Sequence, residues 1–238
     1  MVAPILTSTT AEIIYPDCDG NPMSDNTKQF RWIVTIKENL ELLYAENPDV
    51  FVAGDLLWYP VEGNNTIRQA PDIMVAIGRS KGDRGSYQQW KEAGIAPQVV
   101  FEILSPGNRL AEMQRKLSFY DRYGVTEYYI YDPDRIDFVG WMRTDGRLES
   151  IEEAQSWVSP QLGIRFDLEP DTLQIYRPDG QPFLSFGDLD LRRQAAEQRA
   201  DTAEQRADTA EQRADTAEQR AAILAAKLQE LGIDPTNL

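Results

Sequence analysis

Between Ala196 and Thr216 the chain repeats Ala-Glu-Gln-Arg-Ala-Asp-Thr three times, and a fourth copy opens at Ala217. Ala196, Ala200, Ala203, Ala207, Ala210, Ala214, Ala217 and Ala221 fall at alternating spacings of four and three, and Leu224, Leu228 and Leu231 continue the same seam. That is the a/d pattern of a heptad helix. With Ala196 at d, the Glu197 series occupies e and the Arg199 series g. A parallel pair of helices sets g against e′, arginine against glutamate, whereas an antiparallel pair sets like against like. The expectation is therefore a parallel coiled-coil homodimer through 196–231, or else a solvated single helix. Alanine buries little area, and isolated helices gain only modest pair energies. Gly232 and Pro235 end the pattern. The repeat divides the chain into an N-terminal arm (1–24), a folded domain (25–187) and a heptad-repeat helix (188–238).

Within the domain, Phe30, Ile33, Ile36, Leu40 and Leu43 recur at three and four, which predicts a core-facing helix from Asp25 to Glu46. A strand is expected from Val50 to Tyr59, interrupted at Gly54-Asp55. The runs Ile73–Ile77 and Val99–Leu104 read as strands buried on both faces. Asn108 is the expected N-cap of a helix over 109–123 that stops at Gly124. Leu110, Met113, Leu117 and Tyr120 read as its core face. A strand follows over Glu127–Tyr131, then short strands with turns at Asp145-Gly146, Pro160 and Pro178-Asp179-Gly180. The fold class is α/β (α+β): a mixed sheet flanked by helices, with added antiparallel strands and a long C-terminal helix.

Composition removes whole classes of chemistry. The 238 residues contain no histidine and one cysteine, Cys18. Histidine triads, zinc proteases, zinc clusters and intrachain disulfides are excluded. Any metal must be held by oxygen, which favours magnesium, manganese or calcium. No stretch resembles a leader or a membrane span, so a reducing cytoplasmic location is expected. The net charge is −15, and the tail from Asp188 onward, with 11 acids and 7 bases, accounts for only part of it. An acidic domain does not favour nucleic acid. The stretch Gly78–Gly94 runs against that balance. It carries Arg79, Lys81, Arg84 and Lys91 among Tyr87 and Trp90, and suits either a DNA phosphate contact or an ordinary solvated loop ending in a short helix.

Two carboxylates stand where carboxylates are costly. Asp72 opens the run Ile73–Ile77, and Glu102 lies inside Val99–Leu104. An ionised carboxylate buried there costs several kcal/mol unless a cation or donor faces it. Lys116 lies on the following helix, with Glu112 one turn earlier on the same face. Two carboxylates and a main-chain carbonyl make a hard-cation site. A lysine beside it can stabilise charge developing on a phosphoryl group or position an attacking water. Asp55, after Gly54, is a candidate third ligand.

At these residues the chain resembles a family. Pro71-Asp72, Glu102-Ile103-Leu104-Ser105, Lys116-Leu117-x-x-Tyr120 and Gly124-Val125-x-Glu127-Tyr128 are similar to the PD-(D/E)xK restriction-endonuclease-like superfamily, and within it to the Uma-type (family two) restriction endonucleases, a cyanobacterial domain of unknown function. The resemblance covers about Asp25–Asp132, or on to Phe186, and excludes the repeat tail. The superfamily's lysine usually stands two residues after the acid, where this chain has Leu104. The subgroup's helix lysine maps to Lys116 and its acid one turn earlier to Glu112. The resemblance implies a restriction-endonuclease-like fold and Mg2+- or Mn2+-dependent hydrolysis of DNA phosphodiester bonds. Asp72, Glu102 and Lys116 would be catalytic, with Asp72 and Glu102, joined by Asp55, holding the metal. A first-helix acid, Glu38 or Glu41, sometimes contributes in such nucleases. The alternative is an inactive nuclease-fold scaffold that oligomerises through its tail.

Overall fold

Five apolar or aromatic runs and one polar hairpin arm make the main sheet of the protein, seen in a computed structural model that describes residues 13–18, 26–107 and 110–231. In chain order the elements are α1 (Thr27–Leu43), β1 (Val50–Gly54), β2 (Trp58–Tyr59), β3 (Ile73–Ile77), β4 (Tyr87–Gln88), β5 (Val99–Ile103), α2 (Leu110–Tyr123), β6 (Glu127–Asp132), β7 (Asp137–Thr144), β8 (Arg147–Ser150), β9 (Trp157–Val158), β10 (Arg165–Leu168), β11 (Leu173–Tyr176) and α3 (Phe186–Glu230). The main sheet has six strands in the order β1-β3-β5-β6-β7-β8. Within it β5 and β6 are the parallel pair, joined by α2 as a crossover helix, and the other neighbours are antiparallel. Strands β9, β10 and β11 form a second, antiparallel sheet, and β2 pairs with β4. The mixed sheet with flanking helices and added antiparallel strands is the α/β arrangement expected.

Side-chain alternation sorts the sheet residues into two cores. Val50, Val52, Ile73, Val75, Val99, Phe101 and Ile103 join Ile33, Ile36 and Leu40 of α1 and the inner residues of the second sheet. Phe51, Ala53, Met74, Ala76, Val100 and Tyr128 join Trp58, Tyr87 and Tyr120 on the α2 side. Burial of β3 and β5 on both faces explains why they read as unbroken apolar runs.

Helix α1 is capped by Asn26, whose side chain accepts the Gln29 amide at 2.8 Å. Its inward positions are Gln29, Ile33, Ile36 and Leu40. Phe30, expected in that stripe, is 58% exposed, because its neighbour Gln29 takes the inward position a residue earlier. Helix α2 stops at Gly124, whose φ of +94° is the left-handed cap conformation, with the Val125 amide returning to the Tyr120 carbonyl at 3.1 Å. Leu110 is a correction: it is 77% exposed rather than core-facing. The expected cap Asn108 lies outside the described residues, as do Gly232 and Pro235 and most of the arm.

In the basic stretch the two arginines turn to an acid of the same segment, while Lys81 and Lys91 are exposed. The expected short helix is strand β4 and a single 3-10 turn over Gln89–Lys91. Arg84 Nε meets Glu92 at 2.6 Å and Arg79 Nε meets it at 3.1 Å. Arg84 also lies over the Phe51 ring at 3.9 Å. Lys81 Nζ caps the end of α1 on the Tyr44 and Ala45 carbonyls.

By contact density the chain divides into Met1–Ser185 and Phe186–Leu238. The second unit contains α3, one helix of 45 residues, about 68 Å long at 1.5 Å per residue. In each repeat the threonine hydroxyl (Thr202, Thr209, Thr216) donates to the carbonyl four residues back. Among the described residues no helix is long and apolar enough to cross a membrane.

Candidate active site

A proline creates the opening in which the site is built. Strands β3 and β5 pair with Ile73 opposite Phe101. Continued by one residue, that register sets Asp72 opposite Glu102, and by two, Pro71 opposite Ile103. Pro71 has no N–H to give to the Ile103 carbonyl, so the ladder cannot close there. Side chains take over both ladder bonds. The Ile103 amide donates to Asp72 Oδ2 at 2.6 Å, and Gln29 Nε2 of α1 donates to the Ile103 carbonyl at 2.9 Å. The polar residue in the apolar stripe of α1 is there because a backbone acceptor at the end of β5 needs a donor.

Glu102 is 2% exposed and points to the α2 side. Lys116 Nζ donates to its Oε2 at 2.7 Å, and Tyr120 Oη to its Oε1 at 2.5 Å. Lys116 and Tyr120 are one helical turn apart and share a face of α2. Tyr120, expected on the core face of α2, lies there: its ring belongs to the core, and its hydroxyl reaches the site on the same side as Lys116. Burial pushes the Glu102 carboxyl above the usual carboxylate range, with Glu112 adding to the effect and Lys116 and Tyr120 opposing it. Burial also works to strip Lys116 of its proton, but the charges of Glu102 and Asp72 outweigh it and raise the lysine above its ordinary value. The close contact is thus an ion pair with a costly carboxylate. Lys116 is a fixed positive charge rather than a base. Burial, then Glu102, holds the Tyr120 proton in place, so that hydroxyl is a donor.

The other candidates divide. Asp72 and Glu102 are brought together on one face, with Lys116 against them. Glu112 stands one turn before Lys116 and its charge reaches Glu102. Asp55 is exposed, at a φ of +48°, and its amide donates to the Asp72 carbonyl at 3.1 Å. Backbone bonding thus puts Asp55 beside Asp72. Glu38 and Glu41 both pair with Lys37 at 3.0 Å, and Gln29 is the α1 residue that reaches the end of β5. Among the described residues no three acids or thiols gather as a ready-made metal cage. Two protein carboxylates, Asp72 and Glu102, are a donor set that would fit magnesium, which takes one or two carboxylates and fills the rest of its shell with water.

The model of the Uma2 family, described as putative restriction endonuclease, matches residues 20–175. The chain belongs to the Uma2 family. Among solved structures, a putative nuclease belonging to DUF820 from Anabaena variabilis is similar at 17% identity, with a TM-score of 0.43, over 58% of this chain and 74% of that one. No curated protein matches the chain. The Uma2 match takes in α1, β3, β5, α2 and β6 and so contains every residue of the site. It ends before α3, leaving the repeat helix outside the family region.

Proposed function

We propose that this Uma2 protein is a metal-dependent endonuclease that hydrolyses DNA phosphodiester bonds. The observation that carries the reading is Glu102, a carboxylate buried in a central strand, opposite Asp72 in register and in contact with a protonated lysine. Asp72 and Glu102 would hold Mg2+ or Mn2+, with Asp55 and the neighbouring backbone at the rim. A divalent cation there supplies polarisation of the phosphoryl oxygen and orientation of the attacking water. The residues do the rest. Lys116, fixed as an ammonium, stabilises the charge that develops on the non-bridging phosphate oxygens. Tyr120 and the Ile103 amide fix the rotamers of the two carboxylates. Water oxygen bonds to phosphorus and gives up a proton to solvent, the bridging P–O bond breaks, and the departing oxygen takes up a proton from solvent.

The test is cleavage of plasmid and linear DNA with Mn2+ or Mg2+. Wild type should cut and Glu102→Ala should fall by at least a hundredfold; equal background from both would sink the nuclease reading. A second reading, a scaffold that assembles through its tail, is favoured by the full engagement of both Glu102 oxygens by Lys116 and Tyr120. In either reading we propose a homodimer through a parallel coiled coil over 196–231. The exposed thiol of Cys18 suits a reducing cytoplasm.

A further inference from the structure

On the α2 side of the sheet one polar group is left without a contact that accounts for it. Tyr128 is fully buried. Its ring stacks on Trp141 with centroids 5.2 Å apart, and meets Tyr120 edge-on at 4.9 Å. Phenylalanine would serve that packing equally well, yet the residue carries a hydroxyl, and the hydroxyl has no hydrogen-bond partner among the described residues. Buried hydroxyls are bonded as a rule, because an unpaired one forfeits its hydration. Its place in the sheet puts it near the site. Strand β6 runs beside β5 with Val100 next to Tyr128 and Glu102 next to Ile130. Tyr128 therefore lies on the Glu102 face, one step along, beneath the tyrosine that bonds Glu102. Burial first, and then the charges of Glu102, Asp72 and Glu112, hold its proton in place.

We propose that the Tyr128 hydroxyl is a positioning group of the metal site, hydrogen-bonded to the hydration shell of a divalent cation held by Asp72 and Glu102. The proposal rests on the metal reading above. A cation with two protein carboxylates keeps most of its shell as water, and those waters are strong donors that need fixed acceptors. The phenol oxygen accepts from one of them. Tyr120 binds the carboxylate and Tyr128 the water, so two tyrosines in edge-on contact divide the site between them.

Calorimetric titration of the full chain with Mn2+ tests this without any measurement of activity. Tyr128→Phe should melt at or above the wild-type temperature without metal, since only an unpaired hydroxyl is lost, and should bind Mn2+ at least fivefold more weakly. Trp141→Phe, which disturbs the same packing but keeps the hydroxyl, should bind within twofold of wild type. Wild-type affinity in Tyr128→Phe, or an equal loss in Trp141→Phe, overturns the proposal. If Glu102→Ala still abolishes binding in that case, the metal site itself stands. A wild type that binds no Mn2+ overturns both.

Discussion

If the site takes a divalent cation as proposed, that cation and Lys116 would compete for one carboxylate. Glu102 is too buried to stay ionised alone, and Lys116, only 12% exposed, is the cation that makes it tolerable in the metal-free protein. Removing one partner of such a pair typically costs about 3–5 kcal/mol. Lys116→Met should lower the melting temperature accordingly, and millimolar Mg2+ should restore more of the loss than it adds to wild type. Equal Mg2+ shifts in the two proteins, followed by scanning calorimetry, would separate Lys116 from the metal site. At this scale the sequence shows a great deal. Asp72 and Glu102 stand out as charges in apolar runs, and Lys116 follows from helix spacing. Gln29 and Tyr120 do not stand out, because an amide or a phenol in an apolar stripe carries no charge to betray it. Glu127 escapes for another reason. It is as buried as Glu102, but it is held by Tyr129 Oη, Ser159 Oγ and the Gln161 amide. Two of those donors come from more than thirty residues downstream, a pairing that only tertiary contact creates.

Among elements, the connection from β3 to β5 shows how charge is spent on structure. Its two arginines converge on Glu92, and Arg84, then Arg79, hold that carboxyl below its ordinary value against the effect of burial. A carboxylate whose folded pKa is depressed contributes stability above its unfolded value, near 4.5, and loses it as pH falls through the folded value. Glu92→Gln should therefore be destabilised at pH 7, by about 1.5–3 kcal/mol for hydrogen bonds to a charged group. The gap from wild type should close as the pH drops below about 4.5. Chemical denaturation across pH 3–7 measures both, and a gap that stays constant would show that Glu92 is not ionised against its arginines. The sequence displays these basic residues but not their partner. Glu92 is one acid among many, and Arg79 and Arg84 reach it across a loop whose course no periodicity encodes. Strands β1, β3, β5 and β6 and helices α1 and α2 are legible because their apolar spacing is the imprint of burial. The two-residue strands β2, β4 and β9 leave no such imprint.

Taken whole, the molecule joins an acidic α/β unit to a helix that nothing in its own sequence requires to be alone. Along α3 the seam is alanine until Leu224, Leu228 and Leu231, so the leucine end should carry most of any association. Light scattering of the full chain should give twice the 27.0 kDa chain mass, and Leu224→Glu with Leu231→Glu should return it to one chain. A wild type that scatters as a single chain leaves α3 a solvated rod. The repeat has a further consequence for how such a rod can change. Each copy adds seven residues, about 10.5 Å of length and a rotation only some 20° short of two full turns. Seven codons are also twenty-one nucleotides, a multiple of three. Near-identical copies can thus be gained or lost in replication with the reading frame kept, the stripe of alanines kept, and the threonine-to-carbonyl bond renewed in every new unit. The helix is a graduated rule whose length can be reset by whole divisions while everything upstream of Phe186 is left unread and unchanged.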